Sequence, residues 1–352
     1  MRAAAVLTLA GCGFTGPSAV GPGTVDAAPG FAKQISIHAT HVGSELHDFP
    51  MLFAEVADAD LVGRAAGEVG FVDATGAALP VEIERFDPTS GAIAAWVRVP
   101  VLADAAPTQI SLVLGPRPAT SVWDAAFAGV YHFADGAGAA SLDSTPHHHD
   151  GMRVGAPQIA AGIIGSGLTF TNTGTYVDLG TAISLAGPFT ISLWTRAATD
   201  TPQAYGRLVS RCDATPVRNG VTLEQNMPAG YAYATRSSTA TIYATDATPL
   251  ATAAPSFVAV TFDGAALTLF ENGRANVVPD ARVLQDPISP LTIGAELYAP
   301  GNPGDGYQGL IDEVRFSTVA RALAWQQAEL ANTGSPATFY DVLGKSTVNV
   351  EP

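Results

Sequence analysis

The chain has 352 residues, which at roughly 100–200 residues per domain allows about two domains with ample core. Hydrophobic residues make up 47% and charged residues 14%, which excludes a disordered chain or a coiled coil. With 17 Lys and Arg against 32 Asp and Glu the formal net charge is −15, a field that repels phosphate backbones and argues against nucleic acid as a partner.

The N-terminus reads as an address. An apolar run at residues 3–10 follows Met1 and Arg2 and ends in Gly11 and Cys12. The string Leu9-Ala10-Gly11-Cys12 resembles the lipobox of bacterial lipoproteins. That resemblance implies cleavage behind small residues and a thioether from the Cys12 thiol to diacylglycerol. Residues 1–12 are then a lipoprotein signal peptide, and the mature chain contacts the membrane through its lipid. The alternative is an ordinary secretory signal with an incidental cysteine. Gly13 is not the Asp that retains many lipoproteins at the inner membrane, which points to the outer membrane or cell surface of a bacterial envelope. Residues 13–30 are Gly-, Pro-, Ala- and Ser-rich without periodicity and read as a flexible tether. No later stretch of about 18 apolar residues suggests a membrane helix. With Cys12 acylated, Cys212 is left without a disulfide partner and reads as a buried thiol rather than a nucleophile.

Six short strands follow in a first domain, residues 31–117: 33–40, 49–56, 68–73, 79–86, 91–99 and 108–114, with turn residues between them. This is the pattern of a β-sandwich. Residues 79–86 (LPVEIERF) alternate, with Val81, Ile83 and Arg85 on one side and Glu82, Glu84 and Phe86 on the other. Glu82 and Glu84 then share a face. A carboxylate pair there suits acid–base work if the carboxyls stand about 5–9 Å apart, and otherwise is a solvated strand face. Trp96, between regular strand residues, reads as a core plug rather than a sugar platform. The segments HVGSELHDFPMLF (41–53), FVDATGAALPVEIERF (71–86), AWVRVP (95–100) and ISLVLG (110–115) resemble the bacterial domain of unknown function DUF2341, which implies a fold and no activity.

A proline-bearing link at 116–123 leads to a second domain, residues 126–332. It carries about a dozen short strands separated by Gly, Pro, Asn or Asp, and one helical stretch at 319–331; that density suggests a jelly roll. The succession LDSTPHHHDG (142–151), GLTFTNTGTYVDL (167–179), FTISLW (189–194), FVAVTFDGAALTLFENG (257–273), LTIG (291–294) and YQGLIDEVRF (307–316) resembles a laminin-G-like domain of the concanavalin A-like superfamily. Two departures stand out: Pro255-Ser256 replace an expected Trp, and Asn172 replaces an expected Asp. Residues 333–352 read as a C-terminal tail, of which 334–344 (GSPATFYDVLG) matches chains joining these two domains. The expected fold is all-β, two sandwiches, the second a concanavalin A-like jelly roll.

The resemblance also implies a structural Ca²⁺, a hard cation wanting six to eight oxygens, with Asp143, Asp150 and Asp312 as carboxylate donors. The other reading has Asp143 capping a turn and Asp312 pairing with Arg315 or a backbone amide. His147-His148-His149 cannot all aim at one ion and read as a solvated loop. Tyr231 and Tyr233 share a strand face and suit a stacking platform for a sugar ring, unless that face is the core side. Asp312 and Glu313 are adjacent and should point to opposite faces. No Glu-x-Asp-x-Glu, Gly-x-Ser-x-Gly or His-Glu-x-x-His string occurs, so no catalytic residue is expected. The function expected is a lipid-anchored surface protein whose jelly roll binds a glycan or a surface protein; the alternatives are a structural spacer of the envelope and a degenerate glycoside hydrolase.

Overall fold

The computed structural model describes residues 30–348 except 116–117, 172–173, 199–204, 214–218, 226–230, 237–240, 246–253 and 300. Cys12 and the tether lie outside the described residues. The fold is all-β, two packed sandwiches with two short helices near the C-terminus.

The first sandwich pairs a three-stranded sheet, Leu46–Glu55, Ala92–Leu102 and Val81–Asp87 in that order, with a five-stranded one. The latter runs Tyr340–Val348, Gly30–Ile37, Thr108–Leu114, Val69–Asp73 and Ala78–Leu79. Its core gathers Ile35, Phe53, Phe71, Trp96 and Leu112. Ile35 alternates with polar Gln34 and Ser36, whereas Phe53 and Trp96 lie in apolar runs whose strands are buried on both faces.

Its outer strand corrects an expectation. The described part of residues 333–352 is not a tail: Tyr340–Val348 returns to the first sandwich, with Tyr340 opposite Ile37 and Val342 opposite Ile35. The segment hides from sequence reading because, among the described residues, its buried apolar anchors are Phe339 and Tyr340; backbone pairing adds the register. The preceding helix, Leu323–Gly334, buries Trp325, Ala328, Glu329 and Asn332, the i, i+3, i+4, i+7 stripe of a half-buried helix. Trp325 packs edge-on to Phe49 with centroids 5.0 Å apart. Asn332 covers the open edge of the Leu46–Glu55 strand as a neighbouring strand would: its Oδ1 accepts from Leu52 N at 2.7 Å and its Nδ2 donates to Leu52 O at 2.9 Å. The Tyr340 hydroxyl does the same at Ala54, accepting from N at 2.9 Å and donating to O at 3.0 Å.

The second sandwich has two large sheets. One runs Gln158–Ala161, Ser166–Thr171, Gln308–Ser317, Phe189–Ala197, Ser256–Phe262, Ala266–Glu271 and Arg274–Pro279, with Phe127–Tyr131 added to Gln308–Ser317. The other has Gly206–Cys212 and Gly220–Gln225 at its middle and Tyr231–Arg236 beyond them. Between them lie Phe170, Ile191, Leu223, Val260, Phe316 and, contrary to the platform reading, Tyr231 and Tyr233. These tyrosines are 1% and 0% exposed, so no sugar reaches them. Alternation makes theirs the core side of the strand.

Candidate functional site

Two bulges build a charged cluster at the seam between the sandwiches. In Val81–Asp87, Ile83 pairs with Ala95 and Arg85 with Ala94, which leaves Glu84 as the extra residue. In Gln308–Ser317, Asp312 pairs with Trp194 and Arg315 with Ser192, so two residues oppose Leu193 alone. Glu313 takes up that extra residue in the left-handed region, φ 52°, a strained conformation for a residue with a side chain. Ile311, Val314 and Phe316 face the core as a result. Asp312, Glu313 and Arg315 are all freed from it, and the expectation that Asp312 and Glu313 oppose each other fails.

His132, 5% exposed, follows the Phe127–Tyr131 strand and meets this face. Its Nδ1 lies 2.7 Å from Glu313 Oε1 and 3.7 Å from Glu84 Oε2; its Nε2 lies 3.6 Å from Glu82 Oε1. Arg315 donates from Nη2 to Glu313 at 2.8 Å and from Nη1 to Glu329 at 2.9 Å. Trp96 stacks on His132 with centroids 5.7 Å apart and donates to Glu84 Oε2 at 2.9 Å. Arg315 sits 4.3 Å over the Trp96 ring, a cation–π contact. Trp96 is thus buried, yet it is a member of the seam and not only a core plug.

Burial is the largest influence on Glu84, His132, Asp312 and Glu313. It pushes Glu84 up to about 7, helped by the Glu313 charge. For His132 burial works downward, but Glu313 and the neighbouring acids outweigh it and hold the imidazole up to about 10. Burial works to raise Glu313, and His132 and Arg315 overcome it, holding that carboxyl below its usual range. Burial and Glu313 push Asp312 well up.

A cleft of about 430 Å³ opens beside the cluster, lined by Glu82, Glu84, His132, Asp135, Asp143 and Asp150 among others. Glu84 is buried and Glu82 half-buried, so the pair is not a fully solvated strand face. Glu82 accepts from Trp123 Nε1 at 2.6 Å and Ser144 Oγ at 2.7 Å, and the Glu84 side chain is 1% exposed.

The acids expected to hold calcium are not assembled into one site. Asp143 accepts from Val130 N, Thr145 N, Thr145 Oγ1 and His149 N, all at 2.8–2.9 Å. Asp150 accepts from Asp143 N at 2.9 Å. Asp312 accepts from Ile163 N at 2.7 Å, Ile164 N at 3.0 Å and Glu313 N at 2.9 Å. They serve as turn and loop acceptors. Among the described residues, the group gathered closely enough to hold an ion is Glu84, His132 and Glu313. In the histidine loop, His147 and His149 stack on each other, and His149 Nδ1 faces Ala128 O at 2.8 Å.

A second cluster lies at the middle of the other sheet. Arg207, 1% exposed, pairs with Glu224, with Glu296 at 2.7 Å and with Asp305 at 3.1 Å. Around it stand two exposed aromatics that sequence reading passed over. Tyr205 is 49% exposed with φ 68°, and the Arg207 guanidinium lies 5.7 Å from its ring centroid. Tyr298 is 38% exposed. Burial of its hydroxyl and a hydrogen bond to Asp305 push that hydroxyl up to about 12. A Cβ at Gly304 would overlap the Tyr298 ring, so only glycine lets the ring lie there. Neither tyrosine belongs to an apolar pattern, which is why none of the sequence signals marked them.

Residues 171–327 match the family model for the concanavalin A-like lectin/glucanase superfamily, and residues 65–148 match DUF2341. The second match crosses the seam, so it contains Glu82, Glu84 and His132 together, while Glu313 belongs to the first. No curated protein matches the chain. Among solved structures, domain 4 of AbnA, a GH43 extracellular arabinanase from Geobacillus stearothermophilus in complex with arabinotriose, is 18% identical, with a TM-score of 0.47 over 58% of this chain and 98% of that one. The CBM40 of Ruminococcus gnavus IT-sialidase bound to α2,3-sialyllactose is 16% identical, with a TM-score of 0.39 over 47% and 95%. This chain carries a DUF2341 region followed by a concanavalin A-like lectin/glucanase domain.

Proposed function

We propose that the protein is a non-catalytic glycan-binding protein of the bacterial envelope, anchored by an acylated Cys12. The observation that carries the binding reading is the pair Tyr205 and Tyr298, exposed beside Arg207 and its partner Asp305 respectively in the concanavalin A-like domain. A pyranose ring has an apolar face of C–H groups that stacks on such rings, while its hydroxyls take hydrogen bonds from fixed polar groups. Asp305 supplies an acceptor held in place by Arg207, and ordered charged groups lose little entropy on binding. The family description, lectin and glucanase, supports the ligand class.

A glycan array probed with the full mature chain tests the reading. Wild type should retain a defined set of glycans, and Tyr205→Ala with Tyr298→Ala should lose it without loss of fold. An empty array, or retention unchanged by the double substitution, overturns it. The anchor is tested apart from the ligand: Cys12→Ser should move the protein from the membrane fraction to the soluble one, and unchanged retention contradicts the anchor alone.

A further inference from the structure

We propose that Glu84, His132 and Glu313 hold one divalent transition-metal ion, of the zinc class, at the seam between the two sandwiches. Their donor atoms lie within 4.8 Å of one another. His132 Nδ1 stands 2.7 Å from Glu313 Oε1 and 3.7 Å from Glu84 Oε2. Ligands about 2.0–2.1 Å from a tetrahedral zinc stand about 3.4 Å apart, and these separations bracket that value. Small adjustments would open the shorter one, with the ion taking the place of the proton shared by His132 and Glu313.

The second observation is the polar atoms left over. His132 Nε2 and Glu84 Oε1 are buried without a hydrogen-bond partner among the described residues. Their side chains are 5% and 1% exposed, and both line the cleft. Buried polar atoms without partners are costly: Glu84 Oε1 would be relieved by joining Oε2 on the ion, while His132 Nε2 would keep Glu82, 3.6 Å away, as its partner. Charge agrees. Among the described residues, Glu82, Glu84 and Glu313 all lie within 4 Å of His132, so a dication meets carboxylates in excess of the imidazole.

Each ligand also has a supporting partner of the kind metal sites use. Trp96 Nε1 donates to Glu84, Arg315 holds the far oxygen of Glu313, and Glu82 faces His132 Nε2, where a carboxylate commonly receives the other ring proton of a ligating histidine. One imidazole with two carboxylates is a mixed nitrogen and oxygen set, which suits zinc over calcium. The cleft leaves the ion's fourth position open to water or a ligand. Because the ligands come from both sandwiches, the ion would also clamp the seam.

The test is calorimetric titration of ZnCl₂ into the EDTA-stripped full chain. The expected result is one equivalent per chain, with affinity down by at least about tenfold in His132→Asn and in Glu84→Gln. It should be unchanged in the doubly substituted His147→Ala, His148→Ala chain. Far-UV circular dichroism of each stripped variant shows that it is folded; if His132→Asn is not, Glu84→Gln decides. Absence of binding by wild type, binding undiminished in Glu84→Gln, or binding lost with the loop histidines overturns the proposal.

Discussion

Glu313 reaches His132 because it is the extra residue of a bulge: at φ 52° its carboxylate leaves the core face of its strand and its Oε1 comes to 2.7 Å from His132 Nδ1. One backbone irregularity thus joins a strand of the jelly roll to the charged face of the first sandwich. Glu313→Gln keeps the shape and removes the charge, leaving His132 and Arg315 facing an amide. Breaking a buried pair in this way costs about 3–5 kcal/mol. Urea unfolding should show a loss of that size, and a loss under about 1 kcal/mol would mean the pair contributes little.

The return of the C-terminus makes its own prediction. Asn332→Ala removes both partners of the Leu52 backbone and buries an N–H and a C=O without replacements. A cost of about 1–3 kcal/mol is expected, with faster amide exchange at Leu52. Unchanged exchange there would show that the helix does not close that edge.

Docking of the last strand should weaken with rising pH. Both ring nitrogens of His38 face oxygens, Thr338 O at 3.0 Å and Asp341 Oδ2 at 2.9 Å, so only the imidazolium donates to both. The Asp341 hydrogen bond is the main cause that raises its pKa, against a smaller opposing effect of burial. The stabilisation is therefore complete below the ordinary histidine pKa of about 6.5 and is lost as pH rises through the raised folded value. The pair is solvent-screened, so the effect is under about 1 kcal/mol. Exchange of amides 340–344, corrected for intrinsic rates, should speed up across that range in wild type and not in His38→Asn. Equal pH dependence in both contradicts the assignment.

Calcium should leave the melting curve alone. The oxygens of Asp143 and Asp312 are already committed to backbone amides and, for Asp143, to the Thr145 hydroxyl. A comparison of EDTA with millimolar Ca²⁺ should give the same Tm. A rise of about 5 °C, as expected at a hundredfold excess over Kd, would restore a calcium site.

Strand positions in both sandwiches were legible because alternation and turn residues report which face is buried. Tyr231 and Tyr233 show the limit of that signal: period two places them on one face without saying which face is the core. The seam was illegible for a different reason. Glu84 and Glu313 are each the extra residue of a bulge, and a bulge breaks the alternation from which facing is read. His132 lies more than 40 residues from Glu84 and some 180 from Glu313, so no spacing joins them. The turn at 162–165 carried a readable hint. Side chains at Gly162 and Gly165 would overlap the carboxylates of Asp312 and Glu84, so both positions exclude a Cβ. The Tyr340–Val348 strand was hidden because residues 341–344 are exposed and its register rests on backbone pairing with Gly30–Ile37.

The most direct test of the glycan-binding claim is a crystal structure of the full mature chain soaked with the best-retained oligosaccharide from the array. The expected result is a sugar ring stacked on Tyr205 or Tyr298 with a hydroxyl within hydrogen-bond distance of Asp305. A sugar bound elsewhere, with both tyrosines bare, would contradict it.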